Sequence, residues 1–418
     1  PARLKASTID WSKCEPQPSD ECTPNFHWAS PVGRKQDQIS CHLTRTNPTT
    51  MDLIRSARER SPLYNGQIQG VGPRYCPSIE DKAFRYPDRN THHVFLEPEG
   101  LTTESVYPNG LSTSLPKDVQ EAFLRSIEGL EQVEILMHGY AVEYDVVDTT
   151  TLRQTLEHKE IVGLYFAGQV NGTSGYEEAA GQGFIAGANA ALAAVGRNPL
   201  ILSRNEAYIG VLVEDLICNQ RDEPYRLFTA RSENRLYIRE DNTLVRMSPY
   251  RAQMGLNLPI DEYQNNFLSE LELLNSLFRD DLYFVHSKDQ QRFLDIGYGA
   301  LVENMNLGEL LRRAELDPVS TLKQELEHFG LKFMPEVITT AAISEKYRGY
   351  IQRSLEETER MEKLLQRKID WQKIVESSNI SYECRLRIKA VKPETFGQLK
   401  NMEGIRPATL AYVAGNLL

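Results

Sequence analysis

A chain of 418 residues with 40% hydrophobic and 25% charged side chains has the balance of a soluble globular protein and room for two or three cores. Its formal net charge of −11 excludes a uniformly basic nucleic-acid binder, while local basic patches remain open. No apolar run approaches the roughly 20 residues of a membrane-spanning helix.

The opening stretch PARLKASTIDWSK has no signal-peptide apolar segment and no initiator Met, so upstream sequence is expected before Pro1. Residues 1–50 are rich in Pro, Ser and Thr and read as loops and short strands. Cys14, Cys22 and Cys41, near His27 and His42, match no zinc spacing. With Cys76, Cys218 and Cys384 they form an unpatterned set that suggests a reducing compartment. A helix is expected near 51–60, followed by a mixed α/β region over 61–170. Its candidate strands are HHVFLEP, QVEILM, GYAVEYDVV and EIVGLYFAG, with the helix KDVQEAFLRSIEGL between the first two.

Within this region GVGPRYCPSIEDK, Gly70–Lys82, sets Cys76 among Arg74, Lys82 and Arg85. An isolated thiol titrates at about 8.5, and these cations would bring it to about 7. Pro73 and Pro77 stiffen the loop, whereas Glu80 and Asp81 oppose the shift or pair with the cations. A working thiolate and a buried structural cysteine both fit.

The stretch GLYFAGQVNGTSGYEEAAGQGFIAGANAA, Gly163–Ala191, runs from a strand-like segment through a glycine-studded turn into a helix opening near Tyr176. Glycines at 181, 183 and 187 each cost about 1 kcal/mol relative to Ala in a helix, which implies close packing on a sheet or a ligand at the helix start. No G-x-G-x-x-G follows a strand: GVGPRY has Tyr75 in place of the last Gly, and GQGFIAG lies inside the helix.

Residues 225–251 interleave Arg226, Arg231, Arg235, Arg239, Arg246 and Arg251 with Tyr225, Phe228, Tyr237 and Tyr250. This suits phosphates and bases, or an internal ion-pair network with Glu233, Glu240 and Asp241. Helical spacing then covers 261–278, 289–305, 320–330 and 344–365. The last of these puts Tyr347, Tyr350, Ile351, Ser354, Leu355, Met361 and Leu365 on one stripe, a core face or a partner face. Residues 399–415 read helix, glycine turn, helix, with Gly404 at the bend and Pro407 starting the second helix. They suit a phosphate-binding helix-hairpin-helix or a plain helical hairpin.

The blocks GVGPRYCPSIEDK, FLEPEG, YPNGLSTSLP, GYAVEYD, FAGQVNGTSGYEEAA, EPYRLFTAR and YIREDN resemble, in order, the GidA/MnmG family of flavin-dependent enzymes that modify the wobble uridine of certain tRNAs. EKYRGYI and GIRPATLAYV resemble its helical tail more loosely. The resemblance implies an α/β fold, part of a two-dinucleotide flavoprotein with an inserted mixed α/β region, followed by an all-α C-terminal domain. The expected domains are 1–160, the inserted nicotinamide and catalytic region with part of the flavin domain; 161–255, the rest of the flavin domain; and 256–418, a helical domain for tRNA and a GTPase partner.

By the same resemblance Gly168, Gln169, Asn171 and Gly172 contact FAD. The segment Gly72, Pro73, Arg74, Tyr75, Cys76, Pro77, Ser78, Ile79, Glu80, Asp81, Lys82, Ala83, Phe84, Arg85 and Tyr86 serves NADH, and Cys76 is the catalytic cysteine. The family's G-x-G-x-x-G segment and its other functional cysteine would lie upstream of Pro1, so this chain by itself is expected not to retain FAD. Methylenetetrahydrofolate is the implied one-carbon donor. The implied assembly is a homodimer joined to an MnmE-type tRNA modification GTPase in a heterotetramer, in the cytoplasm or the mitochondrial matrix. A folate/FAD-dependent tRNA uracil methyltransferase and a non-catalytic fragment binding tRNA or the GTPase are the alternatives.

Overall fold

The computed structural model describes residues 1–20, 37–70, 77–218, 223–255, 258, 260–279, 281–285 and 287–417. These divide into two compact units. The first comprises Pro1–Val147, Gln169–Gly175 and Arg221–Arg226, and the second Asp148–Gly168, Tyr176–Gln220 and Leu227–Leu418.

The first unit is built on strands β1 (Arg3–Lys5), β2 (Glu15–Gln17), β3 (Cys41–Arg45), β4 (His93–Pro98), β5 (Ser105–Asn109) and β6 (Ile135–Met137). Among the described residues they form one antiparallel sheet in the order β2-β3-β4-β5-β1-β6. Strand β4 shows the cause of its own burial. Side chains alternate across a strand, so Val94 and Leu96 enter the core while His93 and Phe95 face outward. Leu96 sits opposite Pro108 of β5 and His42 of β3.

Helices α1 (Pro48–Ser56), α2 (Ile79–Arg85) and α3 (Lys117–Leu124) contribute Met51, Ile54, Ile79, Ala83, Val119 and Phe123 to the same core. Helix α1 opens with Pro48 in its first turn behind an Asn47 cap, and Asn47 Oδ1 accepts from the Thr50 amide at 2.9 Å.

Two expected strands differ. GYAVEYDVV is not a strand, and Tyr140, Val142 and Val146 stay exposed. EIVGLYFAG makes only an isolated bridge, Glu157 with Tyr165, and Val162 is 90% exposed. An extended run becomes sheet only when a neighbour completes its ladder of N–H and C=O groups, and no such neighbour stands among the described residues.

The second unit is mostly helical, with α4 (Tyr176–Ala194), α5 (Tyr208–Cys218), α6 (Thr243–Met254), α7 (Ile260–Leu277), α8 (Asp289–Asp295), α9 (Leu307–Leu311) and α10 (Pro318–His328). It continues through α11 (Pro335–Lys346), α12 (Arg348–Leu365), α13 (Trp371–Glu376), α14 (Tyr382–Val391), α15 (Phe396–Asn401) and α16 (Pro407–Asn416), with a small pair of strands, β7 (Asp281–Tyr283) and β8 (Met305–Asn306). The helix expected over 289–305 stops at Asp295, because Gly297 and Gly299 turn left-handed at φ +80° and +82°.

Helices α13 to α16 close on their own core of Ile374, Ile380, Cys384, Ile388, Phe396, Leu399, Met402 and Val413. The hairpin there has Gly404 at φ +79° and Pro407 at the start of α16. On the α12 stripe Tyr350 is exposed, whereas Ile351, Ser354 and Leu355 are half-buried.

Candidate functional site

Of the expected nicotinamide segment, Gly72, Pro73, Arg74, Tyr75 and the candidate catalytic residue Cys76 lie outside the described residues. The part from Pro77 onward is ordered by helix α2. Ser78 Oγ caps the helix by accepting from the Asp81 amide at 3.1 Å, which fits the preference for serine at this position. The Ile79 amide donates to Ser112 O at 2.7 Å.

Glu80 is fully buried, and one carboxylate oxygen accepts from the Ser114 amide and hydroxyl at 2.8 and 3.0 Å. Its other oxygen, Oε2, has no hydrogen-bond partner among the described residues. Asp81 accepts from the Tyr64 hydroxyl at 2.8 Å and pairs with Arg85 at 3.5 Å. Burial and that bond push the Tyr64 hydroxyl up to about 12.

Lys82 Nζ donates to Gly110 O at 3.0 Å, Phe84 meets Tyr64 edge-on, and Ala83 is buried. Pro77, Arg85 and Tyr86 are exposed. Upstream, Glu143 Oε1 accepts from the Gln69 and Gly70 amides at 3.1 and 2.9 Å. Among the described residues of this segment, Asp81 and Arg85 pair with each other, and Lys82 and one oxygen of Glu80 are held by backbone groups.

The chain crosses from the second unit to the first between Gly168 and Gln169 and returns between Gly175 and Tyr176. Gly168 and Gly172 both have positive φ, +80° and +66°, a conformation that L side chains resist. In the first unit the Gly172 amide donates to Gln169 O at 2.8 Å, and Val147 donates to Val170 O at 2.8 Å. Gln169 points to solvent and Asn171 is buried. In the second unit the buried Gly168 amide donates to Gln182 Oε1 at 2.8 Å.

Sequence reasoning missed Gln182. Glu178, Gln182 and Asn189 are all nearly fully buried on one side of α4. Glu178 accepts from the Leu227 amide at 3.1 Å, and Asn189 bonds both the N–H and the C=O of Leu200. The signal was three polar residues at helical spacing on the buried side of a small-residue helix. A buried polar group needs a partner, and each of these fixes a connecting segment. On the other side, a Cβ built on Gly183 or Gly187 would meet nothing within 4 Å.

The arginine-rich stretch resolves toward internal pairing. Arg231 bonds the buried Asp215 at 2.8 Å, and Arg239 holds Asp241 at 2.8 Å and Ser344 at 2.9 Å. Arg246 donates to Asn242 and to backbone carbonyls, and Arg251 pairs with Asp261. Tyr225 is buried, and the Tyr250 hydroxyl bonds Glu206. Arg235 and Phe228 remain exposed.

Residues 1–198 match the family described as glucose inhibited division protein A, and residues 354–415 match the C-terminal helical bundle of the tRNA modifying enzyme MnmG/GidA. The tRNA uridine 5-carboxymethylaminomethyl modification enzyme MnmG of Bdellovibrio bacteriovorus is 42% identical over 417 residues, which cover 99% of this chain and 64% of that protein. The enzyme of the same name from Streptococcus pyogenes serotype M1 is 42% identical over 436 residues, covering 100% of this chain and 67% of its own. Among solved structures, Aquifex aeolicus GidA in the form I crystal superimposes with a TM-score of 0.77 at 41% identity, over 99% of this chain and 66% of that one. The chain thus spans about two thirds of the length of the relatives it matches.

Proposed function

Because the chain belongs to the GidA/MnmG family, we propose that it works within its full-length protein to modify the wobble uridine of tRNA at C5. The product would carry a carboxymethylaminomethyl or aminomethyl group. The observation that carries this reading is the 42% identity, sustained over 99% of the chain, with an enzyme named for that modification. The match of residues 354–415 to the MnmG/GidA helical bundle favours it over a folate/FAD-dependent uracil methyltransferase.

In this reading Gly168, Gln169, Asn171 and Gly172 hold FAD, which supplies redox chemistry when bound. The positive φ of Gly168 and of Gly172 suits backbone that a flat ring system approaches closely. The segment 72–86 serves NADH. Cys76 acts as a thiolate: adding to C6 of the uracil ring, it leaves C5 as a carbon nucleophile toward the one-carbon unit of methylenetetrahydrofolate. Loss of the C5 proton expels the thiolate and restores the ring, tetrahydrofolate leaves from the new carbon, and the amine of glycine or of ammonium takes its place.

The helical region 256–418 meets tRNA and an MnmE-type GTPase, and the assembly is a homodimer joined to that partner. No described helix is long and apolar enough to cross a membrane, and the proposed location is the cytoplasm or the mitochondrial matrix.

The test is mass spectrometry of modified nucleosides in tRNA from cells whose only copy of the full-length protein carries Cys76→Ser. Loss of the C5-aminomethyl family of products, with flavin content unchanged, is expected. Near wild-type product would return Cys76 to a structural role, and a C5-methyl product from the parent protein would replace the reading with the methyltransferase.

A further inference from the structure

The second unit contains a cavity of about 740 Å³ lined by none of the residues expected to hold a cofactor. Its walls come from residues 152–159, from 201–205 with helix α5, and from 391–401 where α14 passes into α15. Ligand cavities of small molecules run from about 300 to 1,000 Å³, so the space is of nucleotide size.

Four cations line it, Arg153, Lys159, Arg204 and Lys392, against two carboxylates, Glu214 and Glu394. Arg204 is committed, 12% exposed and within 3.2 Å of Glu233 and 3.6 Å of Asp215. The other three are not neutralised. Arg153 Nη2 donates to Lys159 O at 2.8 Å, and Lys159 Nζ donates to Thr150 O at 2.7 Å. Lys392 lies 5.8 Å above the Trp371 ring.

Backbone carbonyls and a ring position a cation without cancelling its charge. Among the described residues none of the three has a carboxylate within ion-pair distance, whereas Arg231, Arg239 and Arg251 each have one. Glu214, the inner carboxylate, is itself paired with Arg204 at 3.9 Å. The wall is therefore positive in a chain of net charge −11, and a local field of this kind selects anions.

We propose that this cavity binds a phosphate-bearing ligand of nucleotide size, either a free nucleotide or a nucleotide of an RNA. Three cations from two separate stretches can share the several oxygens of a phosphate, which a single carboxylate would not need. The inference uses no residue assigned to FAD, NADH or the reacting thiol, and its RNA arm rests on the proposed tRNA reading, because Lys392 lies in the helical region placed against tRNA.

The test compares the full-length protein with its Arg153→Gln/Lys159→Gln/Lys392→Gln variant. AMP binding is followed by thermal shift, and tRNA binding by filter retention across a salt series. At least a tenfold loss of AMP affinity identifies a free nucleotide. A fall of about 2 in the slope of log affinity against log salt, from three lost contacts at about 0.7 each, identifies RNA. The difference between the two proteins isolates this cavity from any dinucleotide site. Lys392→Gln alone, at an exposed head, repeats the comparison should the triple variant misfold. Unchanged AMP and tRNA binding in a folded variant overturns the proposal, whatever the modified-nucleoside assay shows.

Discussion

The side-chain oxygen of Gln182 accepts a 2.8 Å hydrogen bond from the amide of Gly168, fourteen positions earlier, with both groups buried. One turn into helix α4 and beyond, the helix thereby holds the residue at which the chain leaves the unit. Gly168 is left-handed at φ +80°, so its amide points where an ordinary residue would not direct it. Gln182 is what satisfies that donor.

Replacing this acceptor tests the clamp. Gln182→Ala leaves the Gly168 N–H buried and unpaired, at an expected loss of about 1–3 kcal/mol, while Gln182→Glu, which keeps an acceptor, loses less. Chemical denaturation reads the stability, and flavin absorbance of the full-length protein reads the turn. Equal stabilities for Gln182→Ala and the parent would remove the bond from the account.

Two helix glycines carry opposite expectations. A Cβ on Gly210 of α5 would collide with Ser203 O, a backbone atom, whereas one on Gly187 of α4 meets nothing within 4 Å. Gly210→Ala is expected to destabilise by about 1–3 kcal/mol or more through overpacking. In this 418-residue chain Gly187→Ala gains up to about 1 kcal/mol of helix propensity. Melting temperatures of the two variants, shifted in opposite directions, are the check.

Glu325 is fully buried between Arg292, whose guanidinium reaches its oxygens at 3.0 and 2.6 Å, and the Tyr283 hydroxyl at 2.8 Å. Removing one partner of such a pair strands the other, and Glu325→Ala should cost about 3–5 kcal/mol. Urea unfolding measures it. A cost below about 1 kcal/mol would show that Arg292 finds water instead.

Burial pushes the Cys218 thiol up to about 12, helped by Glu214 and Asp215. A group raised in the folded state contributes its full share below the unfolded value near 9 and loses it as pH rises toward 12. Stability should therefore fall across that window by up to about 1.4 kcal/mol per pH unit from this group, and Cys218→Ala should flatten that part of the slope. Iodoacetamide at pH 8 should label Cys218 only after unfolding. Prompt labelling of the native protein contradicts the burial argument.

Features legible in the sequence have local causes. Helix α4 begins at Tyr176, where the glycine turn ends, and α16 begins at Pro407, just past the left-handed Gly404. Strand β4 follows from alternation within HHVFLEP. The family resemblance was legible for the same reason, as blocks of contiguous residues that keep their order.

What the tertiary structure decided depends on partners remote in sequence. GYAVEYDVV and EIVGLYFAG have the composition of strands, but a strand exists only when a second chain segment completes its ladder. Six arginines in 225–251 read equally as an RNA face or an ion-pair network. Asp215, sixteen residues from Arg231, and Ser344, far along the chain from Arg239, hold two of them, while Asn242 and Asp261, nearer in sequence, hold Arg246 and Arg251. The positive cavity joins residues near 153, 204 and 392. Composition determines how much charge a chain carries and periodicity which faces are apolar, whereas which charge is cancelled depends on distances across the fold, because Coulomb attraction acts over a few ångströms irrespective of separation along the chain.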